Sequence, residues 1–179
     1  MVYVALLRGI NVGGKNKVEM SRVKATFENA GLTDVSTYIN SGNVIFKSRS
    51  RKRVDVEAQL EAAIQADFGF SIKVFLRDLA SIRRLLKALP DNWTNDSDMR
   101  CDVLFLGKEQ DKPGVVKRLP IKPELVDVVY VPGAIILRMD RANVMKSGLS
   151  RLIGTDLYRG LTIRNCNTVR KLAELMEGA

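Results

Sequence analysis

Arg8, Lys15 and Lys17 share one ten-residue stretch with Gly9, Gly13 and Gly14 and the amides Asn11 and Asn16. Glycine lets a backbone turn tightly and present successive N–H groups, and cations beside such a turn strengthen its field for an anion. The chemistry this pattern suits is the binding of phosphate or carboxylate. The spacing of Gly9 to Gly14-Lys15 also fits G-x-x-x-x-G-K, the phosphate loop of nucleotide triphosphatases. That motif continues with Ser or Thr, which holds Mg²⁺, and opens its helix at the lysine. Here Asn16 follows, and the first helical pattern starts near Met20. Two further readings stand beside the motif: a glycine-rich connection between strand and helix, and an anion-binding loop of another kind.

A second polar group lies near the other end of the chain. Arg164-Asn165 and Asn167-Thr168 precede a helical pattern, with Lys171 one turn in. The first N–H groups of a helix are unpaired and its dipole favours an anion there. A plain cap is the alternative, with Asn167 or Thr168 bonding the first turn and Arg164 covering a sheet edge. Asn40 and Asn43 flank a predicted hairpin turn at Ser41-Gly42. The candidate ligand-binding set is therefore Arg8, Asn11, Gly13, Gly14, Lys15, Asn40, Asn43, Arg164, Asn165 and Asn167. It forms one site if the polar segments converge across a pseudo-twofold axis.

Other pairs are poor catalysts. Lys146 and Ser147 are adjacent, and neighbours on a helix point about 100° apart. Asp96 and Asp98 fall in an acidic linker, and Asp55 and Glu57 diverge on a helix. The chain has no histidine, the commonest general base and the usual partner of cysteine at zinc. Two cysteines alone make no standard structural zinc site, so no metal is expected. Catalysis would have to run on Lys, Arg, Tyr, carboxylates or a cofactor that the sequence does not specify.

Three segments carry a family resemblance. They are Ala5-Leu6-Leu7-Arg8-Gly9-Ile10-Asn11-Val12-Gly13-Gly14-Lys15-Asn16, Tyr38-Ile39-Asn40-Ser41-Gly42-Asn43-Val44-Ile45-Phe46, and Thr162-Ile163-Arg164-Asn165-Cys166-Asn167-Thr168-Val169-Arg170-Lys171-Leu172. In order and spacing the chain resembles a bacterial family defined only as domain of unknown function 1697. Two positions depart from it: Cys166 stands where an aromatic is more usual, and Gly148 where a basic residue is common. The resemblance implies two ferredoxin-like halves and no established activity.

The elements that must position these residues follow from periodicity. Residues 2–7 read as a strand. Met20, Val23, Phe27 and Ala30 share a helical face that Gly31 stops. Residues 35–40 and 43–47 form a hairpin. A two-residue turn there pairs Asn40 with Asn43 and buries Val35, Thr37, Ile39, Val44 and Phe46, with Tyr38 and Ile45 opposite. Residues 48–53 hold four cations and read as a solvated loop. A helix runs through Val56, Leu60, Ala63 and Ile64 to Phe68-Gly69-Phe70, and a strand follows over 72–76. This is βαββαβ, the ferredoxin-like order. Asp78 caps a short helix through Leu79, Ile82, Leu85 and Leu86, and residues 91–98 form a polar linker. Strands over 101–106, 125–131, 134–139 and 161–163 repeat the plan. A helix is expected over 143–153, and Asn167 caps a last one striped by Val169, Leu172, Ala173 and Met176. No residue-level identity joins the halves.

The expected fold is α+β, two ferredoxin-like subdomains packed as one unit with an extra C-terminal helix. Residues 1–78 and 101–179 form the subdomains, and 79–100 a helix and linker. The net charge of +9 is concentrated early: residues 1–89 carry 15 Lys and Arg against 8 Asp and Glu. Such a field favours anionic partners. No apolar run reaches the ~20 residues of a membrane span, and no basic region precedes an apolar signal core. A cytosolic protein without a membrane partner is expected, with Cys101 and Cys166 as reduced thiols. Aromatics are 6% of residues, which argues against base-stacking RNA recognition. Backbone contact through Arg49, Arg51, Lys52 and Arg53 stays open. The expected function is a binding module for an anionic ligand, either a phosphate-rich small molecule or a nucleic-acid backbone. The other class is a small-molecule enzyme in which Lys15, Arg8 and backbone amides stabilise an anionic substrate.

Overall fold

Tyr3, Ala5 and Leu7 alternate with Val4 and Leu6 along β1 (Val2–Leu7), and all five are buried. A strand apolar on both faces belongs in the middle of a sheet. The computed structural model, which describes residues 1–11 and 16–179, places it there. β1 lies between β3 (Asn43–Lys47) and β4 (Val74–Asp78), with β2 (Thr33–Tyr38) outside β3, and every neighbour is antiparallel. Helices α1 (Met20–Asn29) and α2 (Arg53–Phe68) cover one face. Val23, Phe27, Val56, Leu60 and Ile64 meet Tyr3, Ala5, Leu7, Val44 and Phe46 there. Gly69, with φ 77°, ends α2 in the left-handed conformation that a residue with a Cβ resists.

After α3 (Leu79–Ala88), a second sheet forms in the order β6–β7–β5–β8. Its strands are β5 (Met99–Leu106), β6 (Asp127–Val131), β7 (Ala134–Asp140) and β8 (Leu161–Asn165), again antiparallel throughout. A 3₁₀ segment (Pro113–Arg118) and a four-residue helix, α4 (Asp156–Arg159), stand in its crossovers. Leu104, Leu106, Ile135, Leu137, Leu157 and Leu161 are part of its core. The extra C-terminal helix is α5 (Cys166–Glu177). The chain thus makes two ferredoxin-like subdomains. Two compact units result: residues 1–80 with 172–179, and residues 81–171.

The strand registers expose residue-level repetition between the halves, which the sequence reading missed. Val4 pairs with Ile45 and Arg77, and Val103 pairs with Ile136 and Arg164. Leu7 N–H donates to the Gly42 carbonyl at 2.8 Å, and Leu106 N–H to that of Gly133 at 2.9 Å. On the other side Arg8 N–H donates to Lys73 and Gly107 N–H to Gly160. Residues 75–86 then align with 162–173. Arg77, Arg83 and Leu85 match Arg164, Arg170 and Leu172, while Asp78, Ser81 and Ile82 become Asn165, Thr168 and Val169. Unequal loops hid the repeat: 41 positions lead from Val4 to Ile45 but 33 from Val103 to Ile136. The first half has eight more residues between its first and third strands, the stretch that holds the glycine-rich loop.

Three local expectations are corrected. The β2–β3 turn spans four residues, because Tyr38, not Asn40, pairs with Asn43. Ile39 enters the turn with φ 51° and is exposed. No helix spans 143–153. Gly148 adopts φ 86° and divides the segment into 3₁₀ turns at Arg141–Asn143 and Leu149–Leu152. Asn165, not Asn167, caps α5: its Oδ1 accepts the Thr168 N–H at 2.8 Å. The basic run is solvated as expected, with all four cations exposed, but its start is anchored and its last residue is helical. The Met1 ammonium donates to the Ser48 carbonyl at 2.8 Å, Ser50 N–H donates to Ser48 Oγ, and Arg53 already belongs to α2.

The stretch read as a linker is held in place. Arg170 donates to the carbonyls of Trp93 (2.8 Å) and Pro90 (2.9 Å), and Asn167 exchanges hydrogen bonds with the Asn95 backbone. Asp96 Oδ1 accepts the N–H groups of Asp98 (2.9 Å) and Met99 (2.8 Å) where β5 begins. Thr94 and these N–H groups hold its carboxyl below the usual carboxylate range. A depressed folded-state pKa gives stability above the unfolded value, near 3.9, that is lost as pH falls through the folded one. In denaturant melts at a series of pH values, Asp96→Asn should be less stable than wild type at neutral pH. The gap should close as pH falls below the usual carboxylate range.

Candidate functional site

The left-handed Asn11, φ 53°, works as a clasp. Its amide donates to the carbonyls of Val18 (3.1 Å) and Asn40 (2.9 Å), and its Oδ1 accepts the Val18 N–H at 2.9 Å. One side chain thereby ties the end of the β1 loop to the start of α1 and to the β2–β3 turn. Asn16, also left-handed at φ 48°, donates to the Gly9 carbonyl, and Asn11 N–H donates to the Asn16 carbonyl at 3.1 Å. Asparagine tolerates this conformation better than other residues with a Cβ.

The clasp frames an open pocket of about 790 Å³ lined by Asn11, Lys17, Val18, Glu19, Met20, Ser21 and Asn40. The volume falls in the range of small-molecule sites, roughly 300–1,000 Å³. At its wall α1 begins with Glu19 in the N-cap position, and the Glu19 side chain makes no cap hydrogen bond. Orphan N–H groups at a helix start carry partial positive charge. Lys17 is exposed beside them, and the Glu19 carboxylate adds one negative charge to the mouth.

The structure brings together two of the residues expected from sequence, Asn11 and Asn40. Asn43 is fully buried in the same turn, where its amide donates to the Tyr38 carbonyl and to Ser41 Oγ, both at 3.0 Å. Arg8 is half-buried where β1 ends. Gly13, Gly14 and Lys15 lie outside the described residues. Arg164, Asn165 and Asn167 belong to the other unit. Arg164 is buried there, and its guanidinium donates to Thr162 Oγ1 (3.0 Å) and the Ile163 carbonyl (2.8 Å). Burial draws it down to about 10. Asn165 and Asn167 serve the cap and the 90–98 segment. Lys17, Glu19 and Ser21 also line the pocket and are not among the residues expected from sequence. The signal was present: a helix starting at Met20 sets its first N–H groups beside whatever precedes it.

The family described as protein of unknown function (DUF1697) matches residues 1–136. A solved structure, that of the conserved bacterial protein SP0830 from Streptococcus pneumoniae, is similar at 30% identity with a TM-score of 0.82, covering 98% of each chain. No curated protein matches the chain.

Proposed function

The chain belongs to the DUF1697 family, and we propose that it is a binding module for a phosphate-bearing small molecule, held where the β1 loop meets α1. The observation that carries this reading is the pocket itself. It joins Asn11 and Asn40 to Lys17 at a helix start whose N-cap side chain makes no bond. In this reading Lys17, Ser21, the Asn40 amide and the first-turn N–H groups of α1 hold phosphate oxygens. Arg8 adds positive field from the end of β1. Asn11 touches no ligand, because both its amide hydrogens are already committed; it positions the groups that do. Glu19 disfavours a bare multivalent anion and accepts a hydroxyl or amine, so a nucleotide or sugar phosphate suits the mouth better than inorganic phosphate. A thermal-shift panel of nucleotides, sugar phosphates and carboxylates tests this. A ligand at 100 times its Kd adds about 2.7 kcal/mol to native stability. Lys17→Met should leave unliganded stability unchanged and weaken binding by about 1.5–3 kcal/mol, the worth of a charged hydrogen bond.

One observation favours nucleic-acid backbone as a second ligand. Arg49, Arg51, Lys52 and Arg53 are all exposed, and Lys52 occupies the N-cap position of α2 without a side-chain cap bond. Cations at a helix N-terminus oppose its dipole. Replacing all four by Gln should therefore leave Tm unchanged or raise it by a few degrees, about 1–4 °C. The same variant should lose oligonucleotide affinity and flatten its salt slope if this run binds phosphates. A fall in Tm would show instead that the run makes structural ion pairs.

A further inference from the structure

We propose that Cys101 and Cys166 are a redox-active thiol pair that a small hydroperoxide closes into a disulfide. Both cysteines are free and fully buried. The β5–β8 register ends at the pair Asp102 and Asn165, and Cys101 and Cys166 are the next residues beyond that pair, Cys166 as the first residue of α5. A disulfide bridges Cα atoms about 4.4–6.8 Å apart, the range of close neighbours such as these. Each thiol stands among the groups that shift the ionisation of the other. The surroundings divide their roles. Cys166 opens α5, with Arg170 Nη1 at 3.7 Å, and its sulfur lies 3.5 Å from the Trp93 carbonyl oxygen and 3.4 Å from Asn167 Oδ1, either of which can accept its one S–H. The neighbouring Cys101 thiol, with Arg170 and the Asn167 N–H, draws Cys166 down to about 7. The Cys166 thiol, burial and the nearby Asp102 push Cys101 up. A thiolate at a helix start beside an arginine is the nucleophilic form of cysteine.

The chemistry balances. The Cys166 thiolate attacks a peroxide oxygen; the O–O bond breaks, a sulfenic acid forms, and hydroxide leaves to become water. The Cys101 thiol then loses its proton and its sulfur attacks the sulfenyl sulfur. The S–S bond forms, the S–O bond breaks, and the oxygen leaves as a second water. Two thiols are oxidised by two electrons and one peroxide is reduced. Closure fixes the start of α5 to β5, next to the Asn167 and Arg170 contacts that hold residues 90–98.

The test exposes the folded, fully reduced chain to hydrogen peroxide, blocks remaining thiols after unfolding, and maps the peptides. The expected product is an intramolecular Cys101–Cys166 linkage, formed faster in the folded chain than in urea. Cys101→Ser should stop at a Cys166 sulfenic acid that dimedone traps. Two alkylatable thiols after treatment, linkage between chains, or a linkage no faster than in the unfolded chain would overturn the pair. The wild-type map decides the matter even if the variant does not fold.

Discussion

Asn11→Ala is expected to destabilise the protein by about 2–4 kcal/mol. The side chain makes three hydrogen bonds, to the Val18 and Asn40 carbonyls and from the Val18 N–H. Each contributes about 0.5 kcal/mol, the low end of the usual range, because water replaces part of what is lost at a half-exposed site. Alanine at φ 53° adds a left-handed penalty of about 1–2 kcal/mol. Asn11→Gly separates the two terms, since glycine bears no such penalty but restores no hydrogen bond. Asn11→Asp should be worse than Asn11→Gly, for a carboxylate would face two carbonyls with nothing to donate. The ordering Asn, Gly, Asp in urea midpoints is the check. Equal midpoints within about 0.5 kcal/mol, as for an ordinary surface change, would mean that the clasp holds nothing.

Gly148→Ala should cost more, about 3–5 kcal/mol, a size kept for strain and overpacking. A Cβ on Gly148 would sit 2.3 Å from the Pro120 carbonyl oxygen, which is backbone and cannot swing aside, and φ is 86°. The neighbouring Arg151 guanidinium bonds the same carbonyl at 3.2 Å, and Lys122 N–H donates to the Ser147 carbonyl at 2.8 Å, so both strands of chain are pinned. Gly69→Ala is the control: φ is 77°, but nothing lies within 4 Å of the added carbon. It should cost only the left-handed term, about 1–2 kcal/mol. The difference between the two melts measures the close approach alone. Similar losses at both sites would assign the effect at Gly148 to backbone conformation.

The order of strands was legible because buried β1, β3 and β5 are near-continuous apolar runs, and the crossover helix α1 keeps a clear period. The failures have local causes. The β2–β3 turn was shortened because Ile39 continues the alternation, although the backbone turns left-handed there and exposes it. The helix over 143–153 was read from apolar spacing that Gly148 overrides through its contact with Pro120, a neighbour distant in sequence. Asn11 and Asn40, which line the pocket, stood out in the sequence because amides beside glycines signal unusual backbone. That Asn11 spends its amide on the protein itself could not be read from residue type, nor could the burial of Arg164. The internal repeat stayed hidden because its offset drifts from 99 at β1 and β5 to 87 at β4 and β8.

The central claim is that the pocket bounded by Asn11, Lys17 and Asn40 binds a phosphate-bearing ligand. The most direct measurement is a ¹⁵N-resolved NMR titration of the full chain with ATP, read at assigned resonances. Saturable shifts are expected at the backbone N–H groups of Met20 and Ser21 and at the Asn40 side-chain amide, and Lys17→Met should weaken them by about tenfold or more. Shifts confined to residues 49–53, or no saturable change at α1, would contradict the account.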